Sequence, residues 1–383
     1  MKVKLDDVIA RITGNVDRFN TDLEYYVGGE HYDYASIAIY NKGLLKSEKG
    51  STLGFKFHFP FKKGDTLFMA RNPHLKKAGM VTYDGICSDA SYVLRTKDPE
   101  VLLPEFLPLI IQNDLFWAFF EANKSGSVNY LMNWKEMRNY EFELPSIERQ
   151  KAIADMIWAA ERTRKAYIKL IEATDELVKS QFIEMFGDPE VNKNNLPIAT
   201  LKDICVGKLS YGSGAAAVDY DGVTRYVRIT DITDAGELSD DVKSPSVIDE
   251  KYLLNEGDVL FARSGATVGK TLLYREKYGR CIYAGFLIRL IPNTAKVLPD
   301  YVFGFTKSTY YKEFVKKTQR AVGQPNINAQ EYGDLKICVP PIEQQKAFSK
   351  FLEQSDKSKF ELKQAIENIS KLMKSLIQQD FNQ

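Results

Sequence analysis

The stretch Gly265-Ala266-Thr267-Val268-Gly269-Lys270-Thr271 comes nearest to a catalytic signature in this chain. A phosphate-binding P-loop needs four residues between its glycines, so that its backbone N–H groups wrap a phosphate. Here three intervene, and Ser264 stands where the first glycine belongs. The segment reads instead as a Gly-rich hairpin loop between two strands, flanked by Arg263 and Lys270, which could approach a phosphate backbone. Other chemistries fail on residue type. Pro340-Pro341 lacks the asparagine and aromatic residue of an amino-methyltransferase site, and Asn72-Pro73-His74 lacks its second proline. Cys87, Cys205, Cys281 and Cys338 lie far apart with no CxxC, and the histidines lack HExxH spacing, so no metal site is expected. Asp188-Pro189-Glu190 fits a helix stop better than a nuclease cluster. Catalysis by this chain is not expected.

Loops rich in cationic and amide side chains remain. Residues 69–79 hold Arg71, Asn72, His74, Lys76 and Lys77. Their counterpart, 261–270, holds Arg263, Ser264, Thr267 and Lys270, with Arg228 upstream. A second pair of loops carries Lys124, Ser125 and Asn129, and Arg320, Gln324 and Asn326. Arginine, asparagine and glutamine can read base edges bidentately, while lysine and backbone N–H groups hold phosphates. A solvated loop could carry the same residues. Their matched placement in two halves of the chain favours DNA contact.

That matching is the strongest feature of the sequence. Pro145-Ser146-Ile147-Glu148-Arg149-Gln150-Lys151 returns 195 residues on as Pro340-Pro341-Ile342-Glu343-Gln344-Gln345-Lys346. Leu103-Pro104 matches Leu298-Pro299, Leu177 to Ser180 match Leu372 to Ser375, and Phe186 matches Phe381. Gly64-Asp65 matches Gly257-Asp258 at 193. A period this long means a duplicated domain, each copy followed by a duplicated helix. Segments 147–186 and 342–381 lack proline and glycine. Apolar residues recur three and four apart, a heptad seam through Ile153, Ile157, Arg164, Tyr167, Ile171 and Val178. The second seam runs through Phe348, Leu352, Lys359, Leu362, Ile366, Ile369 and Met373. Each helix would be about 60 Å long and needs a partner, which the other copy supplies. Arg164 and Lys359 share one seam position and either fix register or snorkel outward. Gly187 and Pro189 end the first helix, and Ser146 is its N-cap.

The remaining segments, 1–144 and 188–339, are rich in short β-type runs punctuated by glycine and asparagine. Each also holds a helical stretch, 107–121 and 301–318. The fold class is α+β: two mixed α/β domains (1–144 and 188–339), each followed by a spacer helix (145–187 and 340–383). The helices pair as an antiparallel coiled coil in a pseudo-two-fold internal repeat. Composition agrees: 383 residues, 44% hydrophobic, suit packed domains. With 52 basic against 51 acidic side chains, a histone-like binder is excluded. No signal core or long apolar run is present, so a soluble, cytoplasmic protein without membrane contact is expected.

These residues resemble the specificity (S) subunits of type I restriction–modification systems. The resemblance spans essentially the whole chain. It rests on the two helix entries at Pro145 and Pro340, on Gln181-Phe182 through Met185-Phe186-Gly187-Asp188-Pro189, and on Tyr26-Val27-Gly28-Gly29-Glu30-His31. It also rests on Arg71-Asn72-Pro73-His74-Leu75, Gly85-Ile86-Cys87-Ser88, Gly257-Asp258-Val259-Leu260-Phe261 and Gly323-Gln324-Pro325-Asn326-Ile327-Asn328. It implies that each domain reads one half of a bipartite site in double-stranded DNA. The helices would space the halves and dock two methylation (M) subunits, and motor–nuclease (R) subunits would join. S-adenosylmethionine, ATP and Mg would sit on those partners, with no cofactor on this chain. The loops of the two copies differ in length and chemistry, so no base code carries over. Two alternatives stay open: the specificity subunit of a type II system with a fused methylase–nuclease, and a helical scaffold that does not bind DNA.

Overall fold

The computed structural model describes residues 1–125, 130–320 and 326–379. The long helices form where the periodicity places them, over Ile147–Phe186 and Ile342–Gln379. Phe381 lies outside the described residues. The Arg149 N–H donates to Ser146 Oγ at 3.4 Å at the first helix's start. At its end Gly187 takes φ +70°, a left-handed conformation costly for any residue with a Cβ, and its N–H reaches the Ile183 carbonyl at 2.8 Å.

Two compact units emerge, both discontinuous in sequence: residues 1–167 with those from 364 onward, and residues 168–363. Each takes one half of each long helix. In the first, Ile153 and Ile157 share a core with Ile369, Met373 and Ile377. In the second, Val178, Phe182 and Phe186 share one with Phe348 and Leu352. The start of one helix meets the end of the other in both units, so the pairing is antiparallel. Ile153, Ile157, Val178, Phe348, Leu352 and Met373 are buried; Arg164, Tyr167, Ile171, Lys359, Leu362, Ile366 and Ile369 are half-buried. The two seam cations are ion-paired rather than merely snorkelling. Arg164 forks onto Glu161 of its own helix at 2.7 and 2.8 Å. Lys359 reaches Asp175 on the facing helix at 3.0 Å and Asp356 on its own at 2.9 Å.

The domain of the first unit is built on a five-stranded sheet in the order Ile9–Ile12, Ser91–Thr96, Thr66–Met69, Ala78–Val81, Ala38–Ile39. Only its last pair is parallel among pairs that are otherwise antiparallel. The second unit repeats the centre of this sheet as Leu287–Leu290, Val259–Ala262 and Thr271–Leu273, with Ser210–Tyr211 at its edge. A parallel pair also recurs, Tyr25–Val27 with Gly85–Ser88 and Arg225–Val227 with Cys281–Tyr283. The strand Arg225–Val227 stops short of Arg228. There the Arg228 N–H turns onto the Asp231 carboxylate at 2.8 Å and starts a short 3-10 turn. The Gly28 N–H does the same to His31 Nδ1 at 2.8 Å. The two expected helical stretches are each broken in two, into Leu107–Gln112 with Asp114–Asn123, and Pro299–Phe305 with Thr309–Arg320. Asn113 and Ser308 break them, because their side chains accept N–H groups of the following turn and cap a new helix.

The motifs that repeat most faithfully prove to be fasteners. Gln150 and Gln345 have no exposed surface. Gln150 Oε1 accepts from the Leu103 N–H at 3.0 Å, while Nε2 donates to the Val101 and Pro145 carbonyls at 2.8 and 3.0 Å. Gln345 makes the same set with Leu298, Lys296 and Pro340 at 2.8, 3.0 and 2.8 Å. Each glutamine therefore pins the domain to the first turn of its helix. The Gly-Asp pairs act likewise. Gly64 and Gly257 sit at φ +92° and +90°, turning the chain so that a buried aspartate enters the sheet. Asp65 takes Arg95 in a bidentate pair at 2.6 and 2.8 Å. Asp258 meets Arg289 less closely, at 3.6 Å, and burial raises its carboxyl pKa.

Candidate nucleic-acid interface

The paired loops picked out in the sequence do meet, in each unit separately. In the first, the backbone of 70–72 runs antiparallel to 130–132. The Met132 N–H donates to the Ala70 carbonyl at 2.8 Å, and the Asn72 N–H to the Tyr130 carbonyl at 3.0 Å. Ser125 pairs with Leu131 on the far side of that strand. Arg71 and His74 are exposed at this edge. Among the described residues, the Arg71 guanidinium has no hydrogen-bond or ion-pair partner. Lys124 lies 4.0 Å over the Tyr130 ring. Asn72 holds φ +56°, which turns the chain into the 3-10 turn Pro73–Leu75.

The second unit repeats the arrangement. Ser264 bridges to Asn326, and the Ile327 N–H donates to the Arg263 carbonyl at 2.8 Å. Arg263 Nε donates to Asn326 Oδ1 at 3.2 Å, and its guanidinium lies 4.7 Å over the Tyr211 ring. Fixed this way, the fork leaves both terminal nitrogens for an outside acceptor among the described residues. Phe286, 60% exposed, sits beside it, its carbonyl accepting from the Arg263 N–H at 3.1 Å. The Gly-rich segment is the expected hairpin loop, between Val259–Ala262 and Thr271–Leu273.

Other candidates are held by internal partners. Lys76 pairs with Asp114 at 2.7 Å, and Lys77 donates to the Gly29 carbonyl at 2.7 Å. Arg228 is clamped by Asp231 and Asp241 at 2.6 and 2.8 Å, which makes it part of the turn. Lys270 pairs with Asp234 at 2.8 Å, and Thr267 Oγ1 donates to the Ser264 carbonyl at 3.2 Å. Arg320 ends the helix Thr309–Arg320, while Asn129 and Gln324 lie outside the described residues. Tyr130 closes the loop that the sequence offered from Lys124, while two further aromatic members, Tyr211 and Phe286, escaped the sequence reading. Tyr211 carried a signal, a ring set between serine and glycine, whereas Phe286 adjoins the core-building Leu287 and carried none.

No group of His, Cys, Asp and Glu able to hold a metal occurs among the described residues. Nor is any described helix long and apolar enough to cross a membrane. All four cysteines are buried thiols, and burial pushes Cys87 up to about 12 and Cys281 to about 11, far from a reactive thiolate.

These features define an internally duplicated α+β protein on an antiparallel helix pair, each domain presenting an arginine and an amide where two loops meet. The sequence profile described as the type I restriction modification DNA specificity domain matches residues 1–172 and again 198–370. The chain belongs to this family, as the motifs at Pro145 and Pro340 led us to expect. It is 32% identical over 154 residues to a Methanocaldococcus jannaschii protein named as the specificity subunit of the type I restriction enzyme MjaX. That match takes in 39% of this chain and 36% of the relative, so it spans about a third of the relative's length. Two solved structures share the fold. One, from work on complex assembly and conformational transition of the type I R-M system, gives a TM-score of 0.58 at 18% identity, over 98% of this chain and 96% of the other. The type I S subunit from M. genitalium gives 0.58 at 13% identity, over 100% and 96%.

Proposed function

We propose that this chain is the DNA-reading specificity subunit of a type I restriction–modification complex. Each domain reads one half of a bipartite site in double-stranded DNA through its paired loops. The observation that carries the reading is the recurrence of one construction: each sheet end is backed by a second loop and carries an arginine, although Arg263 aligns with Ala70 and Arg71 with Ser264, one residue out of step. A guanidinium held at a sheet end presents two parallel N–H groups, the geometry that matches guanine O6 and N7. Flanking rings and backbone amides suit sugar and phosphate. The helix pair spaces the two readers and offers its exposed faces to two methylation subunits, with motor–nuclease subunits joining them. Chemistry then belongs to those partners, which would hold S-adenosylmethionine, ATP and Mg, while this chain stays non-catalytic in the cytoplasm.

A selection from random duplexes by the complex of this chain with its methylation subunits, at stated salt, tests the reading. Two conserved blocks at fixed spacing are expected. Arg71→Ala should relax one block and Arg263→Ala the other, by about 1–3 kcal/mol each. No enriched block at any salt would leave the scaffold reading standing instead.

A further inference from the structure

A cavity of about 900 Å³ lies within the second unit. Its walls are the loop 233–237, the hairpin loop, the two helices after the sheet, and the facing stretches 175–179 and 352–363 of the long helices. Among its described lining residues nine are basic and four acidic, and two of the bases are paired outside the lining, Lys179 with Glu176 and Arg275 with Glu256 and Asp300. All four acids are already engaged. Asp175 and Asp356 hold Lys359, Asp234 holds Lys270, and Glu237 holds Lys363 at 2.6 Å. Lys277, Lys307, Lys312 and Lys357 have no carboxylate partner among the described residues. Lys307 donates to the Ala235 carbonyl at 3.1 Å, with its amine 4.4 Å over the Phe303 ring. Burial and the amines of Lys359 and Lys312 push Lys307 down to about 8.

The first unit supplies an internal control. Its equivalent cleft measures only about 310 Å³, and the described residues lining it include three basic and three acidic side chains. At the 195-residue offset, Gln112 stands for Lys307 and Trp117 for Lys312. Gln112 Nε2 donates to the Ser36 carbonyl at 2.8 Å, and Trp117 Nε1 to Gln112 Oε1 at 3.3 Å. One copy thus closes the cleft with a neutral, hydrogen-bonded pair. The other keeps it about three times larger and lines it with four amines that no described carboxylate pairs, Lys307 half-buried and Lys277, Lys312 and Lys357 exposed. Framework duties do not require this, since the first copy folds without it.

We propose that the second unit's cavity binds a phosphate-bearing anion of nucleotide size. A space of this volume suits a small ligand. Tyr278, Phe303 and Phe360 offer apolar faces beside the amines, and a multiply charged phosphate supplies the counter-charge that the walls lack. The assignment does not rest on the DNA-reading function, because the phosphate can come from a free nucleotide or from a DNA backbone.

Calorimetric titration of the full chain with sodium pyrophosphate at low salt is the test, with ATP and a short random-sequence duplex as parallel arms. Saturable pyrophosphate binding is expected. Lys307→Gln with Lys312→Trp, which copies the first repeat, should weaken it by about tenfold or more. Displacement of pyrophosphate by ATP would assign a free nucleotide, and displacement by duplex a backbone phosphate. Absence of saturable pyrophosphate binding, or unchanged affinity in the folded double variant, would overturn the proposal. Should the double variant fail to fold, Lys307→Gln alone is judged by the same criterion.

Discussion

Gln345→Ala should be among the most damaging single changes in the second unit, although the residue touches no DNA-facing loop. The substitution strips partners from the Leu298 N–H and from the Lys296 and Pro340 carbonyls, all served by a side chain with no exposed surface. Each buried orphan costs about 1–3 kcal/mol, and water entering the vacated space offsets part of it. The expected loss is about 3–5 kcal/mol, a large share of the roughly 5–15 kcal/mol that holds a domain folded. Gln150→Ala should lose a similar amount from the first unit. Urea unfolding separates the two, because Trp117, Trp134 and Trp158 all lie in the first unit, so tryptophan emission follows it while circular dichroism follows both. Gln345→Glu sharpens the test. A carboxylate still accepts from the Leu298 N–H but turns a lone pair toward two carbonyls. It should be no better than alanine at neutral pH and recover partly on acidification. Losses below about 1 kcal/mol for both alanine variants would refute the fastener role.

Three further outcomes follow from the same geometry. Burial lowers the pKa of His31, which accepts the Gly28 N–H, so its folded value lies below the unfolded one. The first unit should therefore lose stability as pH falls through that window from 6.5, and His31→Asp, the residue type of the second copy, should remove the dependence in acid-titrated urea unfolding. Lys307→Met should stabilise the second unit at pH 7, by at most about 3 kcal/mol, because it removes a half-buried amine whose pKa is pushed down to about 8. That gain should shrink between pH 8 and 10.5, where the unfolded chain still binds the proton and the folded chain does not; a gain constant with pH would contradict it. Adding one turn to both long helices should widen the gap between DNA half-sites by about two base pairs, read by sequencing of methylated sites.

Much of the scaffold was legible because it depends on local period. The seam from Ile153 to Val178 and from Phe348 to Met373 follows from three–four spacing alone, and the repeat exposed the duplication. Asn113 and Ser308 were misread because one polar residue in an apolar run is tolerated by a helix as often as it breaks one. Only the hydrogen bonds to the next turn decide which. Lys76, Lys77, Arg228 and Lys270 read as candidate DNA contacts, and their internal partners, Asp114, Gly29, Asp231 and Asp234, come from tertiary contact or turn geometry that no spacing rule reveals. The Pro-x-Ile-Glu-x-Gln-Lys motif identified the family through a glutamine whose work is internal. Arg71 and Arg263 were legible as candidates, while Tyr211 and Phe286 beside Arg263 were missed.

The claim that each domain reads its own half-site is tested most directly by exchanging residues 197–339 for those of a family member with a different target. Methylated sites in a host carrying the exchanged complex are then sequenced. One half of the motif should change while the other half and the gap stay as they were. Change in both halves, or in neither, would contradict the account.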